Sequence, residues 1–468
     1  MQKRKVLLLN PPGERAYLRD YYCSKISKAA RYCYPPTDLV ILSGTLASRH
    51  RVSVIDAIAS GLSPEECLKR IAELDIDTIM FLTSSPSWTG DFSFLEEVTR
   101  GQDITCIGIG DILMDKTYGA KILGETPWLD GVLLNFITDD ILKFLEGDRE
   151  NLNNFLYKEN GHVSGKGIVL EKGEFHLPLP KHELFPLKSY YSPLARSHPF
   201  VVTIATYGCP FKCGFCIVGN VGYQVRNIDN LMEELRAIDA MGIREVLFKD
   251  GTFTASRRHV ERLCSEMKRE KLRLKWVCWT RIDRVDEELL SLMKSAGCHS
   301  VFFGVESGND SILQMHKTGF SRERIKGAFR QCQRLGLRTM GTFILGLPGE
   351  TEETIIDTIK FAKELGCDYA SFNIATPRMG TDLREEAIEK EWISEDETLL
   401  DSSFSVSMEA SSAVSGKKLA KLQKRANREF YLRPSYILKR ILRIRSAGEM
   451  MGLVREGIFL IKNVFKRR

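Results

Sequence analysis

The 468-residue chain contains no run close to the roughly 20 apolar residues that a membrane-spanning helix needs. Its first apolar stretch, in MQKRKVLLLNPP, is cut short by Asn10, Pro11 and Pro12, too early for a secretory signal. No dinucleotide-binding glycine fingerprint follows its strands, and no Cys or His follows Cys216 until His259, so a closed four-ligand zinc site has no local fourth member. These absences lead to the expectation of a cytoplasmic protein whose twelve cysteines are thiols or metal ligands, not a secreted disulfide framework. With 43% hydrophobic and 27% charged residues, such a chain buries a core without cross-links, and its length suggests two or three domains.

The charge that is present is uneven. Residues 415–468 carry 16 Lys/Arg against three Glu, whereas residues 1–414 carry 51 against 58 acidic residues. The tail is therefore a separate electrostatic object. Within it, residues 435–468 interleave Ile, Leu, Met and Phe with Lys and Arg at near-helical spacing, the composition of an interfacial amphipathic helix. A helix packed on the preceding domain is the alternative; nucleic acid is not an expected partner.

Two alternations of strand and helix precede the tail. KVLLLN (5–10), VSVIDA (52–57), DTIMFLT (77–83), TCIGIG (105–110) and GVLLNF (131–136) read as buried parallel strands, with helical patterns between them such as 63–74, where Ser63 and Glu66 form a capping box. This predicts a flavodoxin-like or Rossmann-like α/β domain over 1–147. Residues 148–195 read as a connector with a hairpin at 165–177. From 196 to 395 six longer βα units follow, with strands at 200–206, 244–250, 274–280, 300–306, 339–346 and 369–376 and helices at 229–241, 257–270, 286–296, 321–335 and 351–365. Six such units predict a partial (β/α)6 barrel, with ligands at the C-terminal ends of its strands. A helical basic region over 396–468 completes the division.

The chemistry concentrates after the first barrel strand. In ATYGCPFKCGFCIVGN (205–220), Cys209, Cys213 and Cys216 fall within eight positions, among Tyr207, Phe211 and Phe215. Three thiolates hold three corners of an iron–sulfur cube and leave the fourth iron open to a substrate or cofactor. Structural zinc and a Cys213–Cys216 redox pair are the alternatives. The other nine cysteines are scattered singly and read as small core hydrophobes.

CPFKCGFC, at the end of a first barrel strand, resembles the signature of the radical S-adenosylmethionine (radical SAM) superfamily, and later strand ends follow that family's order. FKDGTFT (248–254) resembles its second-strand motif, GVESG (304–308) its fourth and GTFILGLPGET (341–351) its fifth. The resemblance spans about 190–390. It implies a [4Fe–4S] cluster on Cys209, Cys213 and Cys216, with SAM meeting Asp250, Gly251, Thr252, Arg281, Glu306, Ser307, Gly346 and Pro348. The first domain resembles the cobalamin (B12)-binding domain of class B radical SAM methyltransferases, including NPP (10–12) and YPP (34–36). It departs from that pattern where the histidine beneath cobalt would stand, because Ile58 follows Asp56-Ala57. Cobalamin is thus a possible third cofactor.

The activity implied is SAM cleavage and hydrogen abstraction from an unactivated carbon of a small-molecule, lipid-like or hydrophobic substrate, for C-methylation. Ring formation or rearrangement, as in hopanoid cyclitol ether synthases, is the rival within the family, and a non-enzymatic iron–sulfur sensor the rival outside it. The family also implies an electron donor such as flavodoxin or ferredoxin. The basic tail adds an expected peripheral contact with the inner membrane face.

Overall fold

A computed structural model describes residues 3–21, 24–26, 32–170, 173–317, 319–398 and 414–442. The first seven-stranded sheet has the order Arg51–Asp56, Lys5–Asn10, Thr78–Thr83, Thr105–Gly110, Gly131–Leu133, Phe155–Glu159, His162–Ser164. Its first five members are parallel and are the five strands expected from the sequence, while the last two add antiparallel at one edge. The helix Pro64–Ala72 starts at the predicted capping box, with Ser63 accepting from the Glu66 N–H and the Glu66 side chain from the Ser63 N–H. The sheet thus runs on past residue 147 to Ser164.

Among the described residues of 165–177, no two segments pair as the expected hairpin. Gly165 and Gly167 hold φ of 135° and 79°, and Glu174–Phe175 instead pairs in parallel with Tyr223–Arg226, half a hundred residues downstream. Such a long-range pairing leaves no local period in the sequence.

The second large sheet is parallel throughout and in sequence order: Val201–Thr203, Glu245–Phe248, Lys275–Thr280, Cys298–Glu306, Arg338–Leu345, Tyr369–Ile374. The five expected helices lie between these strands at Ile228–Ala240, Arg257–Arg269, Glu287–Ser295, Arg322–Arg334 and Glu352–Glu364. Strand alternation sends Val201, Val246, Trp276, Val301 and Phe303 outward into a core shared with these helices. Val202, Leu247, Val277 and Phe302 point inward and join one apolar cluster with Val6, Leu8, Met80 and Ile107 of the first sheet. The partial barrel and the first α/β unit are therefore packed together.

The last barrel strand has an open edge, which the described part of the basic tail covers. Helix Gly416–Tyr431 buries Leu419, Leu422, Ala426 and Phe430 in the barrel core. Gln423 Nε2 donates to the Phe372 carbonyl at 2.9 Å, and the Tyr431 hydroxyl donates to the Ala370 carbonyl at 2.6 Å, so edge groups find partners. In the next helix, Pro434–Leu442, Tyr436 is buried and its hydroxyl donates to the Asp368 carbonyl at 2.9 Å. The packed-helix alternative thus holds over 416–442. Residues 443–468, where most of the expected amphipathic segment falls, lie outside the described residues.

Candidate active site

The cysteine segment is aimed by a buried carboxylate. Strand Val201–Thr203 stops where Asp250 Oδ1 accepts from the Ala205 N–H at 3.0 Å, from the Thr206 N–H and from the Thr206 hydroxyl at 2.7 Å. The chain turns there, and Thr206–Gly208 joins a small sheet, antiparallel to Tyr223–Arg226. Gly208 has φ of 70°, and a Cβ there would stand 1.8 Å from the Gly222 carbonyl oxygen. That carbonyl accepts from the Cys209 N–H at 3.0 Å. Residues 209–221 are therefore a loop pinched at a two-glycine neck, with the thiols inside it.

Those thiols differ from the rest. Cys209, Cys213 and Cys216 are partly exposed, whereas the other eight described cysteines are buried. Burial still pushes the Cys213 thiol up and the Cys216 thiol up to about 12, although the Val218 N–H pulls the latter down. Iron therefore has to supply the positive charge that removes their protons. Among the described residues, no three His, Cys, Asp or Glu side chains gather as a single metal ion requires. Three thiols in one loop are the donor set that holds three corners of an iron–sulfur cube.

The sequence-predicted neighbours divide into two groups. Gly251 lies under the loop, since a Cβ there would meet Val218 at 2.6 Å, and the Thr252 hydroxyl is 3.3 Å from Cys209 Sγ. The Arg281 guanidinium lies over Phe211 at 4.1 Å, with Nη1 3.9 Å from Cys213 Sγ, and donates to both Asp283 oxygens at 2.9 and 3.0 Å. It brings positive charge to the thiols while its acid partner holds it in place. Glu306 ends the fourth strand in the left-handed region, at φ of 66°, a costly conformation for a residue with a side chain. Its Oε1 accepts from Lys317 Nζ at 2.5 Å, and a Cβ on Gly304 would stand 2.5 Å from that same oxygen. The first glycine of GVESG makes room for this ion pair.

The second group supports the site without facing the loop. Ser307 is fully buried, with its hydroxyl 3.2 Å from that of Thr358 on the helix behind. The Pro348 carbonyl accepts from His316 Nε2 at 2.7 Å. Gly346, at φ of 88°, donates its N–H to Glu350 Oε2 at 2.6 Å, and Leu347 donates to the same oxygen at 3.1 Å. Sequence reasoning missed Glu350 and Lys317. Only the fixed spacing of Glu350 in GLPGE, and of Lys317 eleven residues after Glu306, were there to find.

Glu350 yields a pH prediction. Burial raises its carboxyl to about 7 against the pull of the two N–H donors, and Oε1 has no partner. A raised carboxyl stabilises the fold fully below the unfolded value near 4 and loses that contribution as pH rises through about 7. Glu350→Gln keeps the acceptor and removes the charge. The variant should gain about 3 kcal/mol on wild type between pH 4 and 8, read from denaturant unfolding across that range. Parallel stability curves for the two proteins would refute this.

Arg378, just past the sixth barrel strand, is buried at the join with the first α/β unit. Its guanidinium donates to Asp111 Oδ2 and to the Ser24 carbonyl, each at 3.2 Å. Beneath the first sheet's C-terminal rim, Asp56 caps helix Ala57–Ser60 and accepts from Asn10 Nδ2 and from the Tyr190 hydroxyl, each at 2.8 Å. Ile58 is half-buried there. This donor set offers cobalt no ligand, so it fits cobalamin only in a form without a protein ligand from this loop.

A parallel barrel with three thiols at the end of its first strand and charged groups at the later strand ends defines an iron–sulfur enzyme. Residues 203–362 match the model of the radical SAM superfamily. An uncharacterized methyltransferase of Pyrococcus horikoshii is 30% identical over 456 residues, covering 94% of this chain and 95% of that one. The chain belongs to the radical SAM superfamily, and is an enzyme working with a [4Fe–4S] cluster and SAM. Cytidylyl-2-hydroxyethylphosphonate methyltransferase of Streptomyces wedmorensis is 28% identical over 299 residues, 59% of this chain and 56% of that one. Two solved structures share the fold. The radical SAM methyltransferase TsrM of Kitasatospora setae, with cobalamin and a [4Fe–4S] cluster bound, is 18% identical with a TM-score of 0.66, over 83% of this chain and 78% of that one. The cobalamin-dependent radical enzyme OxsB is 15% identical with a TM-score of 0.67, over 100% of this chain and 74% of that one.

Proposed function

We propose that this enzyme C-methylates a small molecule at an unactivated carbon, with Cys209, Cys213 and Cys216 holding the cluster. The single observation that carries the reading is the glycine-necked loop, which presents three accessible thiols beside Arg281 and the Glu306–Lys317 pair. The cluster, once reduced by a flavodoxin- or ferredoxin-type donor, supplies the electron that splits SAM into methionine and the radical that takes a substrate hydrogen. The chain's own part is to bind and orient. Lys317 offers a cation to the methionine carboxylate and Glu306 a carboxylate to the ribose hydroxyls. Gly251 and Thr252 keep the backbone close beside Cys209, while the Gly346–Pro348 turn, held by Glu350, forms the adenine side. Asp250 acts as a positioning residue through the turn at 205–206. Cobalamin is proposed for the rim at Asn10–Pro12 and Ile58, where it would supply a methyl carrier. The first unit is taken to run past the expected boundary at 147 to Ser164, with the barrel still beginning after 195.

Product analysis tests the reading. Methylation consumes one SAM to 5′-deoxyadenosine and a second to S-adenosylhomocysteine. Substrate turnover with SAM bearing a deuterated methyl group should therefore give both coproducts and a labelled product. 5′-Deoxyadenosine without S-adenosylhomocysteine would instead establish ring formation or rearrangement.

No described helix is long and apolar enough to cross a membrane. Peripheral contact is proposed from the tail. In Pro434–Leu442, Leu438, Ile441 and Leu442 are 58%, 52% and 75% exposed, on a helix that also carries Lys439 and Arg440. A lipid-like substrate would then be drawn from that surface. Truncation after Leu442 spares the packed helices and removes seven basic residues. It should abolish sedimentation with anionic liposomes at low salt, since each lost charge near the surface is worth about 1 kcal/mol. Equal sedimentation of full-length and truncated protein would dismiss the membrane contact.

A further inference from the structure

Five ionisable side chains are buried where the barrel mouth meets the first α/β unit. Lys249 and Trp279 follow the inward alternation of Leu247 and Val277. Lys249 Nζ is 3.0 Å from Asp20 Oδ2 and 4.2 Å from the Tyr34 ring centre. Arg378 pairs with Asp111. Two cations thus answer two of three carboxylates. The third, Asp38, follows the YPP motif, is 0% exposed, and has no hydrogen-bond partner at either oxygen.

Other acceptors face the same place. Asp20 Oδ1, the Thr37 hydroxyl and the Tyr207 hydroxyl are buried and unpartnered as well. Asp38 and Tyr207 are electrostatic neighbours, as are Asp38 and Asp20. Tyr21 and Tyr207 stack at 5.7 Å beside them. The position is not remote from the chemistry, because Tyr207 stands two residues before Cys209. Burial, with Asp20 adding to it, pushes the Asp38 carboxyl well above the usual carboxylate range, so it holds its proton until a cation comes close enough to draw it into the ionised form. Asp38 lies in the first turn of helix Thr37–Ala47, whose N-terminal dipole favours the anion. That dipole alone accounts for an exposed acid better than for one sealed from water. What is missing at this point is a cation that donates several hydrogen bonds, which describes an alkylammonium group.

We propose that Asp38, with Asp20 Oδ1 and the Tyr207 hydroxyl, binds a protonated amino group of the substrate and so places its reacting carbon near the cysteine loop. This rests on the proposed function only for the position of the chemistry; the site itself is defined by the unpartnered oxygens. The methylation substrate is then an amine, and an amphipathic one if the tail draws it from a membrane.

The test uses the full chain, reconstituted with its cluster and SAM, and n-butylammonium as probe against n-butanol as its neutral counterpart. Saturation-transfer NMR should register butylammonium and not butanol on wild type, and Asp38→Asn should weaken butylammonium at least tenfold. Because burial already holds the Asp38 carboxyl in its neutral form, Asp38→Asn is nearly isosteric with it and the melting temperature should stay at that of wild type or rise. Failure of wild type to distinguish the two probes overturns the proposal, whether or not the variant folds. So does a variant that melts lower and still binds butylammonium, since Asp38 is then a structural acid. 5′-Deoxyadenosine from the wild-type samples reports separately on SAM cleavage. Its absence alongside selective butylammonium binding would refute the proposed function and leave the amine site standing.

Discussion

Replacing Cys209, Cys213 and Cys216 together by alanine is expected to abolish iron incorporation and 5′-deoxyadenosine formation while leaving the melting temperature of the iron-free protein nearly unchanged. The three thiols are the described cysteines that are not buried, so alanine opens no core cavity of the kind that costs several kcal/mol elsewhere. Removing the Cys213 and Cys216 thiols also relieves two groups that burial holds in the neutral form. Iron analysis, anaerobic SAM-cleavage assays and thermal melts on the same preparations check all three parts. Detectable 5′-deoxyadenosine from the triple variant would end the assignment of the cluster to this loop.

Gly208→Ala should be nearly as damaging, though it removes no ligand. The added methyl meets the Gly222 carbonyl oxygen at 1.8 Å and forces a side-chain-bearing residue to φ of 70°. That carbonyl is the acceptor for the Cys209 N–H, so the neck cannot close as it does with glycine. The clash is with backbone, which cannot rotate away as a flexible side chain would. Iron content should fall more than tenfold, with the far-UV spectrum retained because the neck lies outside the six-stranded sheet. Gly61→Ala is the control. It also substitutes a positive-φ glycine, φ of 66°, but with nothing within 4 Å of the new methyl. Wild-type iron content in Gly208→Ala would show that the neck tolerates opening.

The six barrel strands are legible in the sequence because parallel strands covered on both faces are apolar almost throughout, and the helices between them carry a clear amphipathic period. The cysteine triplet is legible because its spacing is local. The functions of Asp38, Lys317 and Glu350 are not, because a single charged residue takes its meaning from what faces it across the fold. Asp38 reads as an ordinary first-turn acid until its two oxygens are found without donors. The structural role of Arg378 is hidden because its partners, Asp111 and Ser24, lie more than 250 positions earlier. The motif match at Asp250 predicts a contact with SAM; the fold adds that its Oδ1 is spent on the backbone at 205 and 206 while Oδ2 has no hydrogen-bond partner.

The stretch that follows the last barrel strand touches both the first unit and the cysteine loop. Arg378 reaches Asp111 in the first unit, the Gly380 carbonyl accepts from Asn220 Nδ2 at 2.5 Å, and the Leu383 N–H donates to the Gly214 carbonyl at 2.9 Å, both within or beside the cysteine loop. Farther on, the Glu395 carbonyl accepts from the Tyr118 hydroxyl at 2.7 Å. Metal that steadies residues 209–221 is therefore expected to slow amide exchange around Asp111 and Tyr118 as well, and a coupling of this kind would run equally in the other direction, from the seating of the first unit to the hold on iron.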